Sequence, residues 1–102
     1  MSEFKGTPGP WFEYRCGFST VYIEARIGGG MIQEVAACGP SENGAEQQQA
    51  NVNLIASAPD LLSALQQLME IYDCTDGRVW TTSSRRRALD NARSAVNKAL
   101  GE

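Results

Sequence analysis

The run Phe18-Ser19-Thr20-Val21-Tyr22-Ile23-Glu24-Ala25-Arg26-Ile27, followed by Gly28-Gly29-Gly30, decides the fold. Its side chains alternate. Val21, Ile23, Ala25 and Ile27 fall on one side of an extended chain; Thr20, Tyr22, Glu24 and Arg26 fall on the other. A period of two with one apolar face is the pattern of a half-buried strand. Three glycines in a row supply the positive φ angles that a tight hairpin needs. Residues 31–38, Met-Ile-Gln-Glu-Val-Ala-Ala-Cys, are then the returning strand. Upstream, Trp11-Phe12-Glu13-Tyr14-Arg15-Cys16 is aromatic-rich and reads as a third strand. The expected unit is a three-stranded antiparallel meander over about residues 11–38, with one face requiring cover.

Outward from this meander the chain changes character twice. Residues 1–10 hold Gly6, Pro8, Gly9 and Pro10, which favour turn or extended backbone and read as an irregular arm. Residues 39–44, Gly-Pro-Ser-Glu-Asn-Gly, mark the passage into a helical part over 45–100. Residues 45–58 favour helix, with Ala50, Leu54, Ile55 and Ala58 on one side. Pro59 imposes a kink or a short break and suits the first turn of a new helix. Leu61, Leu62, Leu65, Leu68, Met69 and Tyr72 recur at spacings of three and four, a stripe wide enough to pack on the sheet and on another helix. Plain core is one reading of that stripe; a homodimer interface through Leu61, Leu65, Leu68 and Tyr72 is the other. Gly77 suits a left-handed cap after Cys74-Thr75-Asp76. Residues 78–84 read as a linker, Ser83 or Ser84 as the cap of a last helix, and residues 85–100 as that helix, with Leu89, Ala92, Val96, Ala99 and Leu100 on its narrow apolar face. The whole is expected to be a single α+β domain over 1–102.

Composition excludes several classes of function. The 102 residues carry 42% apolar and 21% charged side chains and a formal net charge of −3. Such a mildly acidic chain suits an ordinary folded protein and makes nucleic acid an unlikely partner, because binding several phosphates needs a broad basic face. No run approaches the ~18 apolar residues of a membrane span. The first residues lack the layout of a signal peptide, so the expected location is the cytoplasm. There is no histidine, and the three cysteines, Cys16, Cys38 and Cys74, form no CxxC pair. A structural zinc site needs about four such ligands, so no metal and no cofactor is expected. Without histidine no Ser-His-Asp or Cys-His arrangement can form. Glu13, Glu24 and Glu34 could gather into a carboxylate cluster, but nothing in their spacing forces it.

Arg85-Arg86-Arg87 is the most informative local feature. Arginines at a helix N-terminus oppose its partial positive charge, by about 0.3–1 kcal/mol each when exposed. With Thr82 and Ser84 beside them they could bind an anion, and Trp80 could stack on a base. A phosphate or nucleotide site, a patch facing an acidic host protein, and a merely solvated basic helix are the three readings. The polar strand face with Tyr14, Tyr22, Glu24 and Arg26 is either a recognition surface or the seat of the C-terminal helix.

Two segments carry a resemblance. Lys5-Gly6-Thr7-Pro8-Gly9-Pro10-Trp11 and the central phrase Ala50-Asn51-Val52-Asn53-Leu54-Ile55-Ala56-Ser57-Ala58-Pro59-Asp60-Leu61-Leu62-Ser63-Ala64-Leu65 together resemble small tailed-phage and prophage accessory proteins. Those begin near TPGPW and continue with a phrase like ANANLIAAAPDLLEAL. The likeness covers roughly residues 5–70, with Val52 and Ser57 standing where alanine is usual. It implies an accessory gene of a bacterial virus that works in the host cytoplasm, on a host protein or a defence system. It transfers no catalytic residues. The expectation is therefore a non-catalytic binding protein acting on a host bacterial protein, the alternative being a small oligomer that captures a phosphate-bearing ligand such as a nucleotide signal.

Overall fold

A computed structural model describes residues 4–17, 19–72 and 82–102. Strands β1 (Trp11–Arg15), β2 (Val21–Ile27) and β3 (Met31–Cys38) are followed by helices α1 (Ala45–Ala56), α2 (Ala58–Tyr72) and α3 (Thr82–Leu100). The strands form one antiparallel sheet in the order β1-β2-β3. This is the expected α+β meander, turned at Gly28–Gly30, where Gly29 has φ 77°.

Alternation in β2 does what its pattern requires. Val21, Ile23 and Ala25 are fully buried, and with Cys38 and Val52 of α1 they make the core under the sheet. Trp11, Val35, Ala36, Ile55 and Ala56 pack around it. A bulge interrupts the pairing of β2 with β3: Ile23 faces Ala36, but Glu24 faces Glu34, so Val35 is the extra residue. Beyond the bulge Ile32 stands opposite Arg26, on the face away from the core.

Packing of α1 departs from its apolar pattern. The expected inner side held Ala50 and Leu54; both are exposed, and the buried residues of α1 are Gln48 and Val52. Gln48 goes inside because its amide Nε2 donates to two carbonyls at strand ends, Ser19 O at 2.7 Å and Cys38 O at 2.9 Å. Those carbonyls would otherwise be left without partners beside the core. At the rim Gln49 Nε2 donates to Asn53 Oδ1 at 2.9 Å and Glu13 Oε1 at 3.4 Å, and its own Oε1 accepts from Arg15.

The break before Pro59 falls at Ser57, where the chain leaves α1 and Leu61 N–H donates back to Ser57 O at 2.9 Å. Gly9 lies against this point. A Cβ at Gly9 would come within 2.6 Å of Pro59 Cβ, so the arm closes on the start of α2 only with glycine there. The two segments that carry the resemblance are thus in contact. Trp11 Nε1 donates to Thr7 O at 3.0 Å and fixes the arm from the other side.

Helix α1 is the one that covers the sheet; α2 and α3 pack on each other, and α3 also on α1. The wide leucine stripe of α2 therefore does not lie on the sheet. The buried positions at the α2–α3 seam are Ala64, Ile71, Ala88 and Ala95, while Leu62, Leu65 and Met69 are exposed and Leu61 and Leu68 half-buried. Likewise Leu89, Val96 and Leu100 of α3 are exposed, although they were expected on its inner face with the half-buried Ala92 and Ala99. Alanines at the contact let two helices approach closely, and the larger side chains are displaced outward. Helix α3 begins at Thr82, three residues before the expected start, so Thr82, Ser83 and Ser84 form its first turn and not a linker. Residues 73–81, with the expected Gly77 cap, lie outside the described residues.

Candidate functional site

The arginine cluster does not converge. Arg85, Arg86 and Arg87 are successive residues of α3 and all exposed; neighbours in a helix point about 100° apart. Ser84 and Arg87, three apart, meet at a hollow of about 180 Å³ that Gln67, Glu70 and Ile71 also line. Thr82 is exposed and outside that lining. Glu70, Ser84 and Arg85 each already engage a neighbour. A carboxylate in the hollow opposes an anion there, so the grouping is weaker than its sequence suggests. Trp80 lies outside the described residues, as does the side chain of Tyr72.

A longer groove of about 530 Å³ runs between α2 and α3. Two pairs of its polar side chains bond across it. Lys98 Nζ donates to Asp60 Oδ2 at 2.5 Å and Asn91 Nδ2 to Gln67 Oε1 at 3.2 Å, each bridging the two helices. The groove is a zipped seam.

The open face of the sheet is different in kind. Strand pairing sets Tyr14 opposite Tyr22, Phe12 opposite Glu24, Glu24 opposite Glu34, and Arg26 opposite Ile32. All of these side chains point away from the covered face that carries Val21, Ile23 and Ala25. Tyr14 is 48% and Ile32 56% exposed. The Arg26 guanidinium sits 5.5 Å from the Phe12 ring centroid, a cation–π contact. The C-terminal helix is not seated here, which resolves the choice left by the sequence: Tyr14, Tyr22, Glu24 and Arg26 stand on an open surface. Phe12 and Ile32 belong with them. Alternation over residues 11–15 could have placed Phe12; the bulge that turns Ile32 outward leaves no mark in the pattern.

The three glutamates do not gather. Glu24 and Glu34 face one another on the open side, whereas Glu13 lies on the opposite side and pairs with Arg15 at 3.2 Å. Among the described residues no group of three or more metal-capable side chains exists, and no helix is long and apolar enough to cross a membrane.

Fold and surfaces together define a small α+β protein whose distinctive features are faces: an aromatic sheet face and a leucine-lined helix face. A family model described as Salmonella phage P22 protein Y8K6 matches residues 1–102, and the chain belongs to that family. The match takes in residues 71–102, beyond the reach of the two phrases that resembled phage accessory proteins. Neither the curated proteins nor the solved structures yield a match.

Proposed function

We propose that this phage protein acts by occupancy: it binds a host bacterial protein in the cytoplasm through the open face of its sheet and modulates or inhibits it, without turning over a substrate. The observation that supports this is the placement of exposed Tyr14 and Ile32 beside half-buried Phe12 and Tyr22, on the face opposite the one that α1 packs against. Tyrosine and phenylalanine are enriched in protein interfaces, and Tyr and Arg among the side chains that carry most of their energy. Arg26 and the Glu24–Glu34 pair add polar groups that can select a partner at the rim.

The test is capture from host lysate with the intact chain and with Tyr14→Asp/Ile32→Asp. Both positions are exposed, so the variant keeps the fold, checked by circular dichroism. A host polypeptide retained by the intact chain and lost by the variant is expected. The same polypeptides on both, or none on either, would overturn the reading. The alternative, capture of a nucleotide or other phosphate ligand by Thr82, Ser84 and Arg85 to Arg87, predicts a thermal shift with nucleotides that disappears when the three arginines become alanine. The carboxylate of Glu70 beside Ser84 and Arg87 speaks against it.

A further inference from the structure

We infer that the partner of the open sheet face presents a basic side chain, arginine or lysine, to the Glu24–Glu34 pair, so that the surface recognised is a basic patch of a protein. This rests on the binding role proposed above and names the chemistry of its partner. Strand pairing sets Glu24 of β2 directly opposite Glu34 of β3, on the side away from the core. Side chains so placed have their Cβ atoms about 4.5–5.5 Å apart, and like charges there destabilise a sheet. The molecule does not neutralise them itself. Arg26, two residues from Glu24 on the same face, turns its guanidinium to the Phe12 ring. Arg15 pairs with Glu13 on the covered side, Arg93 with Asp90 and Lys98 with Asp60. Among the described residues no cation bonds to Glu24 or Glu34.

Charge complementarity decides the occupant. Glu34 is exposed on an outer strand, and Glu24 is half-buried on the middle strand between Phe12 and Glu34. A cation seated between the two carboxylates is held by both. It also lies within reach of Tyr22, two residues before Glu24 on the same side, whose ring favours a cation over its face. Exposed Tyr14 and Ile32, at opposite corners of the face, supply apolar contact around it. Other occupants meet repulsion. The phosphates of a nucleic acid or of anionic lipid headgroups would face two carboxylates with Arg26 alone to oppose them. A second copy laid face to face across a two-fold axis would bring four glutamates together. A basic protein surface turns the internal repulsion into attraction, so the pair selects its partner: costly in the free chain, favourable in the complex.

The test uses the full chain with a benzophenone photocrosslinker in place of Tyr14, which is 48% exposed, irradiated in host lysate. The expected result is a host polypeptide attached through a segment that contains arginine or lysine. Its yield should fall about tenfold in Glu24→Gln/Glu34→Gln, and fall also with added salt. Should the double variant unfold, Glu34→Gln alone, at an exposed position, gives the same reading. Glu34→Gln should also raise the midpoint of thermal unfolding of the free chain, because it relieves the cross-strand repulsion. An undiminished yield from the glutamine variants, an attached segment without a basic residue, or a midpoint that Glu34→Gln leaves unchanged or lowers would overturn the inference while the binding role stands. No host polypeptide on any form, or crosslinks to a second copy of this chain alone, would overturn both.

Discussion

Between β2 and α1 the branched apolar side chains are inside; between α2 and α3 most of the larger ones are outside. Val21, Ile23 and Val52 have no exposed surface, and they close a core between one helix and one sheet face. At the α2–α3 seam the buried positions are mostly alanine, and Leu62, Leu65 and Met69 look outward. The first arrangement is self-sufficient, because burying branched side chains brings about 1.5–3 kcal/mol each. The second buries mostly small side chains and leaves Leu62, Leu65 and Met69 exposed.

That contrast can be broken or sharpened by substitution. Ile23→Ala should have the largest effect, about 2–5 kcal/mol lost in urea unfolding, since it opens a cavity in a core that cannot borrow from elsewhere; a cost below that range would mean the sheet half is not closed. Gln48→Ala should cost about 1–3 kcal/mol by leaving the Ser19 and Cys38 carbonyls without their donor. Its replacement by leucine should not restore the loss, which separates hydrogen bonding from packing. In the helical half, Ala95→Leu should cost about 1–3 kcal/mol by forcing the helices apart, measured as a lower midpoint of thermal unfolding. Lys98→Ala removes an ion pair whose side chains are both 47% exposed, so its effect should stay within about 1 kcal/mol and shrink further with added salt.

The sheet was legible because β2 alternates and three glycines follow it, two signals that agree. The break near Pro59 was legible for a reason as direct: proline cannot sit inside a helix. The inner faces of the helices were not. Reading them from apolar spacing assumes that the largest apolar side chains go in, and here close approach of α2 and α3 favours Ala64, Ala88 and Ala95. Gln48 defeats the same rule because its burial answers the needs of strand-end carbonyls, which only pairing reveals. The bulge at Val35 likewise depends on the partner strand. Arg85 to Arg87 stood out because arginines and hydroxyls gather at a helix start; that three consecutive helical residues diverge is plain only once the helix is placed. The open sheet face was half legible: Tyr14, Tyr22, Glu24 and Arg26 followed from alternation, but whether α3 covered them did not.

Amide hydrogen exchange tests the contrast between the halves most directly. Strand amides over Val21–Ile27, which back the closed core, should exchange more slowly than those over Ala58–Tyr72. Helix amides as protected as the strands, or more so, would contradict it.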